Sequence, residues 1–272
     1  MTDVIRRAVL IAAGRGKRLG THTDEVPKCM VEIGGKPILG HVWDALSSVG
    51  VEELVVIRGY RGDVLEKFIR SFIKNVIFVD NHDWQTNNVL LSLATARSFL
   101  DRPTYLTYSD IVFTREVAEA AASSAAHIGL VIDRKFRDIY DGRTEHPLEE
   151  GEVADLLPDG TVARVGKKAL PPAEAVGEFI GLTRLGERGA SIVARTLDQL
   201  SIRYIGREDE PYQRAARYRN AYLTDLLQDL IDSGIQIDPI FIDGQWREID
   251  TGQDLERARQ LLESRPKEWT TP

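Results

Sequence analysis

The chain has few of the residues that build special-purpose sites. Cys29 is its sole cysteine, so an internal disulfide is excluded and so is a cysteine-built metal site. No histidine stands near it in sequence, so a packed, inert thiol is the expectation. No apolar run approaches the roughly 20 residues that a bilayer span requires. The opening Met-Thr-Asp-Val-Ile-Arg-Arg leads straight into a strand-like segment without a small-residue cleavage pattern, which makes the cytoplasm the expected compartment. Basic residues are not in excess. The net charge of −7 argues against a nucleic-acid surface, yet leaves room for an anionic small substrate met by a local basic cluster or a metal. Such clusters occur at Arg15, Lys17 and Arg18, and again from Arg134 to Arg143.

What is present is strand–helix alternation over 272 residues. Ala8–Ala13 is a continuous apolar run that ends at Gly14, the pattern of a strand buried on both faces. Helical spacing follows over Pro37–Val49, Asp63–Ile73 and Thr86–Leu100, with strands read at Leu54–Ile57, Val76–Val79 and Tyr105–Tyr108. This order predicts an α/β fold with a mostly parallel sheet flanked by helices. Ligands in such sheets bind beyond the carboxyl ends of the strands, the edge that carries Gly14, Asn81 and Asp110. The second half is less regular. A helix at Arg115–Ala126 and a strand at Ile128–Ile132 precede short strands at Glu152–Leu156, Thr161–Val165 and Ala175–Leu182. Helices are expected at Gly189–Gln199 and Pro211–Ser233, then a strand at Ile237–Ile242 and a helix from Gly252 to about Leu262. One domain is expected, with a strand-rich acceptor-binding insertion. Residues 1–112 form its nucleotide-binding half, about 113–235 the acceptor-binding part, and about 236–272 a metal-binding strand and final helix.

The most specific string is Leu10-Ile11-Ala12-Ala13-Gly14-Arg15-Gly16-Lys17-Arg18, then Val26-Pro27-Lys28 and Gly34-Gly35-Lys36-Pro37. A glycine-rich turn after a buried strand exposes backbone N–H groups and lets a phosphate come close. Arg18 and Lys28 can offset phosphate charge. The string has neither the dinucleotide-binding spacing nor the Gly-Lys-Ser/Thr ending of the P-loop. Tyr108-Ser109-Asp110 closes a strand with a carboxylate that burial makes costly unless a cation or hydrogen bonds meet it. Near the end, Glu248 and Asp250 project to one face of an extended segment and Ile249 to the other. Thr251 and Asp254 have the spacing of a helix N-cap and its third-position acid, which leaves Asp250 over.

The string over residues 8–40 resembles the signature of the sugar-nucleotide and related nucleotidyltransferases, L-A-A-G-x-G-x-R followed by P-K, and the likeness extends more loosely to residue 262. It implies a Rossmann-like sheet of the nucleotide-diphospho-sugar transferase type. By the resemblance, Ala12, Ala13 and Gly14 hold base and ribose, with Arg15, Gly16 and Lys17 completing the nucleotide loop. Arg18 lies along the triphosphate and Lys28 contacts the reacting α-phosphate. Asp110 binds Mg²⁺ with Asp250, and Glu248 is a third ligand or a partner of the ligands.

Hexose-1-phosphate transferases of this family carry Q-x-P-x-G-T-A before the third helix. Here Gln85-Thr86-Asn87-Asn88 departs from that pattern and is similar to the phosphocholine and phosphonate cytidylyltransferase branch, as is Glu248-Ile249-Asp250-Thr251-Gly252-Gln253-Asp254-Leu255. Thr86 or Asn87 is the expected helix cap and Asn88 the nucleotide ligand. Between residues 133 and 182 cations outnumber aromatics, so a small phosphonate is preferred over phosphocholine, which would want an aromatic cage. Arg143, His146, Lys167 and Glu178 are the acceptor-binding candidates. The reading is therefore a CTP:phosphonate cytidylyltransferase, with no nucleic-acid or membrane partner and with a homodimer left open. CTP:phosphocholine or sugar-1-phosphate transfer is the alternative within the class, and a non-catalytic nucleotide-sensing protein the alternative outside it.

Overall fold

The computed structural model describes residues 3–264 and 269. The first half runs β1 (Arg7–Ala12), a small hairpin of β2 (Glu32–Ile33) and β3 (Lys36–Pro37), α1 (Ile38–Ser48), β4 (Glu53–Arg58), α2 (Gly62–Ile69), β5 (Val76–Asp80), α3 (Val89–Thr95) and β6 (Thr104–Tyr108). The second runs β7 (Ile111–Phe113), α4 (Arg115–Ser123), β8 (Ile128–Asp133), α5 (Phe136–Tyr140), β9 (Glu152–Leu156), β10 (Val162–Lys167), β11 (Gly177–Leu185), α6 (Glu187–Arg203), α7 (Leu223–Asp232), β12 (Asp238–Ile242), β13 (Trp246–Glu248) and α8 (Gly252–Ser264).

β1 is buried along its whole length, and its alternation decides how the layers pack. Ala8, Leu10 and Ala12 enter one core with Leu39, Val42 and Leu46 of α1. Val9 and Ile11 face the other, with Leu90 and Leu93 of α3 and Val193 and Leu197 of α6. Period-two side chains on a strand covered on both faces require this arrangement. Among the described residues nine strands form the main sheet, in the path β10-β9-β11-β6-β1-β4-β5, with β8 joining β11 to β12. β6, β1, β4 and β5 are parallel, while β11 runs antiparallel to β6, β8 and β9. The α/β class and the mostly parallel central sheet read from the sequence are therefore present. No helix among the described residues is long and apolar enough to cross a membrane.

Two expected helices begin well inside the stretch that their periodicity suggested. α3 begins at Val89 because Asn88 is its N-cap, and residues 97–99 form a separate turn. Helical spacing over Pro211–Ser233 yields only α7. The preceding segment is pulled out of helix by Tyr204, Tyr212 and Tyr218, which pack as a cluster with the rings of Tyr204 and Tyr218 stacked at 4.2 Å. Tertiary burial of aromatics outweighs a weak local preference there.

Two short strands that periodicity did not reveal, β7 and β13, do the most to place the site. They pair antiparallel, with Glu248 opposite Ile111 and Trp246 opposite Phe113, and the Ile249 N–H continues the ladder by donating to the Asp110 carbonyl at 2.8 Å. This ladder brings Asp110 and Asp250 together. Its outer end is held by Asp133, a fully buried carboxylate that accepts from Lys135 N (2.9 Å), Gly244 N (2.7 Å) and Trp246 Nε1 (2.8 Å). Asp133→Ala strands these donors and is expected to lower the unfolding free energy by roughly 2–4 kcal/mol. Urea unfolding measures it, with Asp133→Asn losing less; a loss no larger than that of an exposed Asp→Ala change would mean the β13 end is not anchored this way.

Candidate active site

The loop leaving β1 carries Ala12 and Ala13 buried and Gly14 exposed at the sheet's carboxyl edge. Arg15 pairs with Asp24 at 2.7 Å and lies over the Tyr60 ring, and Lys17 is exposed. Gly16 has φ of +73°, and a Cβ there would stand 2.8 Å from Cδ of Lys28. Both its conformation and the close passage of the lysine stem call for glycine. Lys28, which follows Pro27, is 6% exposed. Its Nζ donates to Asp110 Oδ2 at 2.9 Å and also to Asp250 Oδ1. Arg18 reaches the other oxygen of Asp250. Residues 18, 28, 110 and 250, distant in sequence, thus meet in one cluster.

Ile249 is buried among Leu19, Val31, Ile33, Val112 and Leu255, so its neighbours Glu248 and Asp250 face away from that core. His146 Nδ1 lies 3.2 Å from Asp250 and 3.6 Å from Glu248. The helix start is built as its spacing suggested: Asp254 accepts from Thr251 N at 2.9 Å, and Asp254 N in turn donates to Thr251 Oγ1 at 3.2 Å. Arg143 is buried nearby and bonded to two acids. Its side chain is 2% exposed, donating to Asp254 at 2.6 and 3.0 Å and to Glu248 at 2.9 Å, so it stands behind Glu248 rather than on the cavity wall.

The charges hold one another. Burial works against the Lys28 ammonium, but Asp110 and Asp250 outweigh it and keep its pKa above the ordinary lysine value. Burial likewise opposes ionisation of Asp250, yet Lys28, His146 and Arg18 hold its carboxyl well below the usual range. Glu248 is pushed up by burial and by Asp250. Cys29 is buried, and burial pushes its thiol up to about 12, as a packed thiol requires. Asp110 Oδ1 is buried with no hydrogen-bond partner among the described residues. Ligand atoms of His146, Glu248 and Asp250 lie within 4.8 Å of one another. An unpaired carboxylate oxygen beside two further acids suits a hard divalent cation, and the Lys28 ammonium occupies the cationic position between Asp110 and Asp250.

A cavity of about 230 Å³ opens beside this cluster, walled by Tyr108 of β6, Glu152 of β9, Lys167 of β10, and Glu178 and Phe179 of β11, with Asn88, Tyr222 and Trp246. Asn88 lines it, but its side chain is engaged, accepting from Val89 N and donating to the Asn220 carbonyl, both at 2.9 Å. The capping role expected of Thr86 or Asn87 has moved to Asn88, and Asn87 exchanges hydrogen bonds with Asn81. Lys167 lies 3.6 Å from Glu150 and 4.9 Å from the Tyr222 ring centroid. Glu178 accepts from the Tyr140 hydroxyl at 2.6 Å. Sequence reasoning missed Glu152, Tyr222 and Trp246. Trp246 and Tyr108 were adjacent to the motifs and could have been included, whereas nothing local marked Glu152 or Tyr222.

Comparison with known proteins follows from this geometry. Residues 8–158 match the family model described as the MobA-like NTP transferase domain. The chain is 29% identical over 255 residues to the CTP:phosphoglutamine cytidylyltransferase of Campylobacter jejuni, across 92% of this chain and 97% of that one. It is 32% identical over 155 residues to the CMP-5'-(3-aminopropyl)phosphonate synthase of Streptomyces rubellomurinus, 56% of this chain but 24% of that protein. Among solved structures, the inositol-1-phosphate CTP transferase from T. maritima superposes with a TM-score of 0.71 at 20% identity, covering 97% of this chain and 98% of that one. That last likeness speaks to the fold alone.

The cavity's acids carry a stability cost with a definite sign. Burial pushes Glu178 up to about 8, with Glu248 adding to the shift and Tyr140 and Arg143 opposing it. Between the ordinary carboxylate pKa and that value the folded chain binds more protons at Glu178 than the unfolded chain, so stability falls as pH rises through this window. Glu178→Gln removes the effect. It is expected to match the wild type near about pH 5 and to exceed it by on the order of a few kcal/mol near about pH 9. Thermal unfolding across that range checks this, and a gap that does not change with pH would contradict it.

Proposed function

This chain belongs to the MobA-like NTP transferase family, and from that premise we propose that it transfers CMP from CTP to a small phosphonate acceptor and releases pyrophosphate. The observation that carries the reading is the convergence of Lys28 on Asp110 and Asp250 at the carboxyl edge of the sheet. A phosphonate acceptor is supported by the relative named CMP-5'-(3-aminopropyl)phosphonate synthase and by another named 2-aminoethylphosphonate cytidylyltransferase, 29% identical over 163 residues. CTP is supported by the name of the relative that matches nearly end to end.

An oxygen of the acceptor attacks the α-phosphorus in line. The new P–O bond forms as the bond from that phosphorus to the bridging oxygen breaks, and the electron pair leaves with pyrophosphate. A phosphate's second proton is lost near about pH 6, so such a nucleophile is anionic near neutrality and no general base is required. The work is to hold two anions together in line. Lys28 brings positive charge to the α-phosphate, and Arg18 to the phosphates beyond it. Backbone groups at Ala12, Ala13 and Gly14 take base and ribose, with Arg15, Gly16 and Lys17 bordering the phosphates. Asp110 and Asp250, with Glu248 beside them, would hold Mg²⁺, which supplies neutralising charge along the triphosphate.

Arg143 spends its Nε and Nη2 donors on Asp254 and Glu248, which favours a role in fixing Glu248 over one in meeting the acceptor. His146, with Nδ1 3.2 Å from Asp250 and 3.6 Å from Glu248, stands on the metal side of the cluster rather than on the acceptor wall. Lys167 is the cation on the acceptor wall. Asn88, with its amide spent on capping, shapes that wall beside the nucleotide.

Lys28→Ala and Asp110→Ala are each expected to lower pyrophosphate release from CTP, Mg²⁺ and a panel of acceptors by on the order of 10²–10³-fold. Circular dichroism checks that each variant is folded. Release within a factor of a few of the wild type, from either folded variant, would rule out this assignment.

A further inference from the structure

His146 takes no part in the transfer chemistry described above, yet it is built into the charged cluster. It is 2% exposed, and neither ring nitrogen has a hydrogen-bond partner among the described residues. Its Nδ1 nevertheless lies 3.2 Å from Asp250 Oδ2 and 3.6 Å from Glu248 Oε2. The ring is thus close to two carboxylates without being hydrogen-bonded to either. Tyr140 packs against it edge to face, with ring centroids 6.4 Å apart. Leaving a buried polar group unpaired is costly, and the partner it lacks is one that the protein does not supply.

The spacing fits a metal ion. Ligand atoms from His146, Glu248 and Asp250 lie within 4.8 Å of one another. Ligands held roughly 2.1 Å from one ion stand about 3 Å apart when adjacent and about 4.2 Å apart when opposite. The charge around them also leaves room for a cation. Asp110, Glu248, Asp250 and Asp254 outnumber the basic side chains paired with them, Lys28, Arg18 and Arg143. Lys28 lies on the other side of Asp250, donating to Oδ1 and to Asp110 Oδ2. Arg18, which holds Asp250 Oδ2, has a side chain 54% exposed and can swing into solvent.

We propose that His146 Nδ1, Glu248 and Asp250 form a second cation position, bridged through Asp250 to the one shared with Asp110. It takes a transition-metal ion such as Co²⁺ or Zn²⁺ in preference to Mg²⁺. Imidazole nitrogen suits those ions, whereas Mg²⁺ favours oxygen ligands. The inference goes beyond the transfer reading and does not depend on which nucleotide or acceptor the chain uses. In the nucleotide-free protein Lys28 fills the position between Asp110 and Asp250, while the three proposed ligands already stand together. Metal should therefore bind there without CTP.

The test is Co²⁺ titration of the whole, nucleotide-free protein in buffer that contains Mg²⁺, followed by calorimetry and visible absorption. One Co²⁺ is expected per chain, bound at least roughly 10²-fold more tightly than Mg²⁺. His146→Ala and, separately, Glu248→Gln are each expected to weaken Co²⁺ binding at least about tenfold. Circular dichroism checks both folds, and Glu248→Gln, which keeps its volume, carries the comparison if His146→Ala does not fold. A proton NMR spectrum of the Co²⁺-loaded wild type should show a strongly shifted, exchangeable imidazole N–H signal. Co²⁺ bound no better than Mg²⁺, unchanged Co²⁺ binding in the folded variants, or absence of that signal overturns the proposal. Turnover enters none of these readouts, so loss of pyrophosphate release in Lys28→Ala or Asp110→Ala bears on the transfer reading alone.

Discussion

The site depends on one buried ion cluster, the Lys28 ammonium held between the carboxylates of Asp110 and Asp250. Burying three charges is expensive, and the cost is offset only when geometry is good and remaining lone pairs are met. Three separate pieces of the chain supply that geometry. Gly16 lets the lysine stem cross the loop after β1. The β7–β13 ladder sets Asp110 beside Asp250, and the capping residues Thr251 and Asp254 end the extended segment just after Asp250. A change in any of them moves a cluster in which Lys28 and Asp250 are buried from water.

The cavity beside the cluster divides chemically. On the loop side it meets Arg18 with Asp110, Glu248 and Asp250, and Lys28 stands behind the two aspartates. On the far side, β9, β10 and β11 contribute Glu152, Lys167, Glu178 and Phe179. On the proposed reading these halves serve the two reactants, a triphosphate on one side and the acceptor on the other. Because the acceptor half consists of strands hydrogen-bonded into the main sheet, its acids are held in position before any ligand arrives. That is the condition under which fixed charges discriminate well.

Much of the fold was legible because buried parallel strands write themselves as continuous apolar runs, and β1 and β4 did so. The glycine-rich loop was legible because close backbone approach demands glycine at Gly16. The meeting of Glu248 and Asp250 on one face followed from strand geometry, with Ile249 buried opposite. Side-chain partners were a different matter. Arg143 looked like an acceptor ligand because cations crowd its segment, but its partners Asp254 and Glu248 lie more than a hundred residues away. Asn88 looked like a ligand because a neighbour was expected to cap the helix. Glu152 carried no local sign, since its burial is imposed by Thr224 and Tyr108 from other parts of the chain. Periodicity reports which face of an element is buried, not which polar group it will meet there.

The most direct test of the central claim is diffraction from crystals soaked with CTP and Mn²⁺, using the metal's anomalous signal. The account predicts a metal peak shared by Asp110 and Asp250, with the triphosphate beside it and Lys28 Nζ turned from the carboxylates to the α-phosphate. A nucleotide bound elsewhere, or a metal peak away from these two carboxylates with Lys28 still locked between them, would contradict it.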